Sequence, residues 1–415
     1  MKRYFKPFLT IIICLFFKIS FSQNTNETWH PIIKNGKVGY INKKGKIVET
    51  PTYTRLNSYE LQNATGDFFI ASLDHGEMIF TKKDKKLLIN DVYDKIKIDE
   101  QHKLIKVTNY GNRDEIFAQD TYGFYDFNGK NVIPVKLKTG LFSFSYSDNF
   151  HEGLISFEDE KTNRNGYMDV NGNIVIKPQY NSANSFHNGL AAVLKNELYG
   201  YINKHGKEVI DFKYERITDF NENGYALVKL KAKGPSMIID KNGNIVKAKL
   251  PYQPATEYTN FHNGLCLVYD STIKKYGYIN ERGDLVVDLK YSHAKDFENG
   301  YAVVDMYSSS SALGLWTVID PTGKEMFTPI AAEYMGGYND GLIDIRQNKL
   351  YGFIDIKGKT IIAPTWTNNP HFQDGLAMIT EESTEKGEPF YGMETYMQKI
   401  GYIDKTGKII WPISE

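Results

Sequence analysis

Gly200-Tyr201-Ile202-Asn203-Lys204-His205-Gly206-Lys207 decides the fold, because relatives of this stretch recur along the whole chain. They start at Gly39-Tyr40-Ile41-Asn42, Gly123-Phe124-Tyr125-Asp126, Gly166-Tyr167-Met168-Asp169, Gly277-Tyr278-Ile279-Asn280, Gly352-Phe353-Ile354-Asp355 and Gly401-Tyr402-Ile403-Asp404. In each, a second Gly closes the segment three residues after the Asp or Asn. Two copies, Ile239-Asp240-Lys241-Asn242-Gly243 and Ile319-Asp320-Pro321-Thr322-Gly323, lack the first Gly. A degenerate copy from Ile79 to Leu88 has Asp84 where the second Gly belongs. Ten copies at a spacing of roughly 40 residues mark an array of supersecondary repeats.

The chemistry of the segment is that of a hairpin. Alternating aromatic and β-branched residues make a half-buried strand, the Asp or Asn can accept from its own turn, and the later Gly supplies a positive φ. A further motif, Phe186-His187-Asn188-Gly189, opens the next strand pair and returns at Phe261-His262-Asn263-Gly264, Phe297-Glu298-Asn299-Gly300, Tyr338-Asn339-Asp340-Gly341 and Phe372-Gln373-Asp374-Gly375. Each unit therefore holds three or four short strands, an all-β meander. Ten copies exceed the usual four to eight propeller blades. The reading favours an open superhelical array, its ends blunted by Pro31 and Pro412, with a closed β-propeller-like ring as the alternative.

These units resemble the WG-repeat family, whose core reads aromatic-Gly-Phe-Ile-Asp-Lys-x-Gly-Lys. The dipeptide here is Tyr-Gly, at 122–123, 199–200, 276–277 and 351–352, and no Trp-Gly occurs. The resemblance runs from Trp29 to Ser414. It implies a β-rich repeat protein of a kind commonly exported in bacteria, and it brings no catalytic residues.

Around the array, 415 residues carry 50 basic and 50 acidic side chains, with 41% apolar and 14% aromatic residues. That composition buries a core and lacks the basic surplus of a nucleic-acid binder. Residues 1–22 read as a removable export signal: Lys2, Arg3 and Lys6 lead an apolar run from Phe8 to Phe17, and Ser20-Phe21-Ser22 offers a cut before Gln23. The expected mature chain, 23–415, contains no transmembrane segment and is periplasmic, on the cell surface or secreted. Cys266 is then its single thiol.

No reaction is specified. Gly352 to Lys359 has five residues between its glycines where a phosphate loop needs four, and His151-Glu152-Gly153-Leu154-Ile155 lacks the second His of a zinc-protease helix. No cofactor motif and no metal set is expected, although His151, His187 and His262 share one place after Phe and could converge in a closed ring. Lys46, Lys130, Lys207, Lys324, Lys359 and Lys408, each following a turn Gly, read as a solvated rim. Length varies mainly in one connection: six residues at 194–199, twelve at 305–316 and 21 at 380–400. Variable loops on one edge are where repeat proteins often bind. The long insertion supplies the candidate contact residues Glu381, Glu382, Phe390, Tyr391 and Tyr396. The expectation is a non-enzymatic surface for a protein or glycan partner, the alternative an envelope hydrolase with dispersed carboxylates.

Overall fold

The computed structural model describes residues 27–54, 63–73, 76–111, 119–138, 149–256, 259–307, 313–386 and 396–413. The export signal expected at 1–22 lies outside them. Every regular element within them is a β-strand. The strands form nine antiparallel sheets of three or more strands and one two-stranded sheet, in chain order except that Gln253–Pro254 and Phe261–His262 both pair with Leu265–Asp270.

One unit shows why the sequence folds this way. Ser182–His187, Leu190–Lys195, Leu198–Asn203 and Glu208–Tyr214 pair in that order. The first hairpin turns on Asn188 and Gly189, at φ 53° and 83°, the two-residue turn that Asn-Gly favours. In the third turn, Asn203 Oδ1 accepts from the N–H groups of His205 and Lys207, while Gly206 N–H donates to the Asn203 carbonyl. Asp126, Asp169, Asp240, Asp320, Asp355 and Asp404 repeat that arrangement. Gly200, the Gly of the Tyr-Gly dipeptide, answers to a different demand. The fourth strand bulges across it, so a Cβ there would lie 2.7 Å from the Ile210 carbonyl oxygen.

Neighbouring sheets pack face to face. Tyr201 is fully buried, its ring 4.6 Å from Phe220 of the next sheet, and its hydroxyl donates to the Thr218 carbonyl at 2.7 Å. Tyr167 does the same with Phe186 and Asn184, and Tyr278 with Phe297 and Lys295. Each pair couples a large buried apolar area to a satisfied polar tip.

This packing continues from the last sheet to the first. Leu376, Ile400 and Tyr402 share a core with Ile32, Ile33, Val38 and Ile41. Thr28 Oγ1 donates to Asp374, and Asn63 Nδ2 to Gln373 Oε1. The array is therefore a closed, propeller-like ring, and the open superhelix favoured from the sequence is corrected. That expectation required a shared strand to close a ring, whereas here the end sheets meet through side chains, as every other pair does. Pro31 blunts no exposed end; it is buried and lies within His30–Lys34. The degenerate copy forms the two-stranded sheet, Phe68–Leu73 and Gly76–Thr81. After it, the buried Lys82 donates to the carbonyls of Glu27 and Ala64 and sits 5.2 Å from the centre of the Trp29 ring.

Candidate functional site

Antiparallel order divides the ring into two faces. The turns between first and second strands and between third and fourth strands emerge on one face. The connections between second and third strands, which vary in length, emerge on the other.

The turn face is knitted from unit to unit. Lys204 Nζ meets the Glu152 carboxylate at 3.0 Å, and that carboxylate accepts from Gly189 N–H. Asn188 Nδ2 donates to the Asn221 and Glu222 carbonyls, and Lys241 Nζ donates to Asn188 Oδ1. Further round, Glu281 accepts from Asn221 and Asn223, and Asp340 accepts from Lys405 and Gly375 N–H. The six Lys residues after the turn glycines are all exposed, as a rim requires. It is the Lys directly after the turn Asp or Asn that does the knitting at 204, 241 and 405.

On the opposite face, the stretch read as a loop at 380–400 is largely strand. Leu376–Lys386 and Tyr396–Asp404 pair outward as far as Lys386 opposite Tyr396. Glu381 is exposed and lies opposite Lys399, Glu382 lies opposite Gln398, and Tyr396 sits at the last described pair. Phe390 and Tyr391 lie outside the described residues.

Two of the three histidines come together. The His151 and His187 rings are 5.0 Å apart, and His187 Nε2 lies 3.8 Å from Asp219 Oδ2. Asn184 Nδ2 donates to the other Asp219 oxygen at 3.0 Å. Burial raises the Asp219 carboxyl above its usual range, against the pull of Asn184 and the two imidazoles. Burial, reinforced by the neighbouring His187, lowers His151. His262 is not part of this cluster and faces Asp296 instead. The sequence signal for the Asp partners was their place directly before Phe220 and Phe297, one unit downstream of each His.

A recess of about 260 Å³ opens beside His151 and His187, with Asp99 and Glu152 on its wall. Its carboxylates are engaged, Asp99 with His102 at 2.8 Å and Glu152 with Lys204 and Gly189. Burial would raise Glu152, but those hydrogen bonds outweigh it and hold the carboxyl below its usual value. Among the described residues, no three His, Cys, Asp or Glu side chains are grouped to hold a metal. Cys266 is buried, and burial pushes its thiol well up, so it stays protonated. No helix of the described residues is long and apolar enough to cross a membrane.

A larger cleft, about 460 Å³, lies at the seam between the last sheet and the first. Leu376, Met378, Tyr402, His371 and Asn63 are among its lining residues, and no Lys, Arg, Asp or Glu lines it. Nothing in the repeat pattern announced it.

No curated protein matches the chain in sequence. Among solved structures, one titled as the eukaryotic initiation factor is similar at a TM-score of 0.51 and 10% identity, covering 81% of this chain and 95% of its own. Dihydro-heme d1 dehydrogenase NirN aligns at 0.37 and 10% identity, over 94% of this chain and 74% of its own. Apo AztD from Citrobacter koseri aligns at 0.33 and 11% identity, over 92% and 93%. At such identities the first likeness speaks to fold alone. The model of the WG containing repeat matches residues 166–199, 199–233, 276–306 and 351–383. Four units of the ring are thus similar to the WG containing repeat.

Proposed function

We propose that the protein is an exported, non-enzymatic binding scaffold whose variable edge engages a macromolecule or glycan. One observation carries the reading: the regular turn face spends its polar groups on neighbouring units, whereas length varies mainly on the opposite face. A conserved-geometry ring with one variable edge presents a partner-specific surface without altering its core. Export rests on the signal-like residues 1–22 and places the ring in the periplasm, on the surface or in the medium.

The test is retention of envelope components on immobilised mature chain, beside two variants trimmed at 383–397 and at 307–313. Components kept by the full ring and lost from a trimmed ring with unchanged melting temperature support the scaffold. Equal retention by all three, or loss only when Lys204 and Lys241 are changed to Glu, would overturn it.

A further inference from the structure

The seam lacks the aromatic plug seen at four sister interfaces. Elsewhere the aromatic of the third strand is covered by the Phe of the next unit: Tyr167 by Phe186, Tyr201 by Phe220, Tyr278 by Phe297 and Phe353 by Phe372, at 4.6 to 4.8 Å. Tyr402 holds the same register, opposite Met378 as Tyr201 is opposite Ala192. Among the described residues, the ring it meets across the seam is that of His30, edge-on at 5.5 Å.

Unpaired polar atoms gather there. Ten buried side-chain polar atoms lack a hydrogen-bond partner among the described residues, and five of them belong to His30, Asn369, Tyr402 and Trp411 at this seam. Tyr402 is 1% exposed and lines the cleft, and its hydroxyl is one of these atoms, whereas those of Tyr167, Tyr201 and Tyr278 all donate to carbonyls. Each such atom costs roughly 1–3 kcal/mol until something satisfies it.

The remaining hydrogen-bond capacity defines the chemistry. Asn369 gives its amide N–H to Asp344, Asn368 to Thr380 Oγ1 and Asn63 to Gln373 Oε1. That leaves the Asn368 oxygen as an acceptor, with Gln373 Nε2 and the Thr380 hydroxyl as donors, while Asn369 Oδ1 and the Tyr402 hydroxyl are buried. Donors and acceptors are both present, with His371 beside them and no Lys, Arg, Asp or Glu, over an apolar floor of Leu376 and Met378. An anion would find no Lys or Arg on the wall, and a cation no carboxylate. A ring with one C–H face and a rim of hydroxyls matches both surfaces, and 460 Å³ accommodates one or two such rings. We propose that the seam cleft is a binding site for a neutral saccharide. This goes beyond the scaffold reading, because the site uses no residue of the insertion past Thr380, and either can fail alone.

The experiment uses mature chain with three neutral probes, cellotetraose, maltotetraose and chitotetraose, and a uronic-acid tetrasaccharide as the charged comparison. Saturation-transfer NMR and calorimetry are expected to show a neutral probe binding with Kd of about 1 mM or tighter. Gln373→Ala and Met378→Trp, one removing a donor and one filling the cleft, should each weaken it at least about tenfold with the melting temperature held. Should either variant fail to fold, Thr380→Val supplies the same readout from the rim. The proposal is overturned if no neutral probe saturates by about 10 mM, if the charged probe binds as well, or if folded variants bind like wild type.

Discussion

Lowering the pH should loosen the ring at its seam, and His30 is the reason. Aligned on the Gly-Tyr segment, His30 takes the second-strand position held by Ala191, Ala226, Cys266, Ala302 and Ala377. It is fully buried, and no hydrogen bond of good geometry reaches either ring nitrogen. Burial lowers it from 6.5 to about 4; nearby Asp374 and Asn63 resist, and Lys82 adds to the lowering. A base with a depressed folded pKa is held neutral, so its contribution is complete above the unfolded value of 6.5 and disappears as pH falls toward 4. The full swing is about 3 kcal/mol, of which ~2.5 kcal/mol is gone by pH 4.5. The lowered turn carboxyls, Asp169 and Asp240 among them, lose their contribution below their ordinary value of 3.8 and leave this window clear. His151 falls with the same sign and Asp219 moves against it, so wild type must be compared with His30→Ala, the residue of the sister units. Urea unfolding at pH 7.5, 6.5, 5.5 and 4.5 gives the slopes, and hydrogen exchange in His30–Lys34 and Tyr396–Asp404 reports the seam directly. Wild type should lose ~2.5 kcal/mol more than the variant across that range, with seam strands exchanging first. Equal slopes, or exchange starting elsewhere in the ring, would refute the argument.

Gly200→Ala forces a Cβ to 2.7 Å from the Ile210 carbonyl oxygen and should cost about 2–3 kcal/mol, read as a fall in urea midpoint at unchanged slope. Tyr201→Phe keeps the packing on Phe220 but strands the Thr218 carbonyl, a loss of about 1–2 kcal/mol in the same assay. Deleting 383–397 should leave the melting temperature within a few degrees, since closure cost varies weakly with loop length; cooperative collapse would make that hairpin structural. N-terminal sequencing of the exported protein should find Gln23 first, and intact Met1 would remove the export reading.

The units were legible because their determinants are local. Gly206, Asn203 and the Asn188-Gly189 turn act within a few residues of themselves, and a spacing of roughly 40 residues repeats them. The face carrying length variation was legible for the same reason, since antiparallel order assigns each connection to an edge. Closure was not. It depends on whether Leu376 and Tyr402 can cover Ile32 and Val38, a contact between segments more than 300 residues apart that no motif records. The long insertion was misread as loop because acidic and aromatic residues without a turn signal suit an extended hairpin as well as a coil.

His30 shows what alignment of the units alone could have revealed. It is a polar side chain at a position otherwise filled by Ala, Cys, Ile or Phe, and a buried imidazole there departs from the repeat's own rule. Tyr402 makes the complementary point, because its local sequence, Gly-Tyr-Ile-Asp, is indistinguishable in kind from that around Tyr201. What differs is the sheet it faces. The hydroxyls of Tyr167, Tyr201 and Tyr278 each find a carbonyl 17 residues downstream, on or directly after the first strand of the following unit. For Tyr402 the following unit is the sheet from His30 to Thr54, which presents a second-strand residue, His30, in place of that carbonyl. In a ring built from one repeated contact, the place where the contact changes partner is where apolar packing gives way to unsatisfied polar groups. That is why the cleft, the displaced imidazole and the unpaired hydroxyl all lie at the same seam.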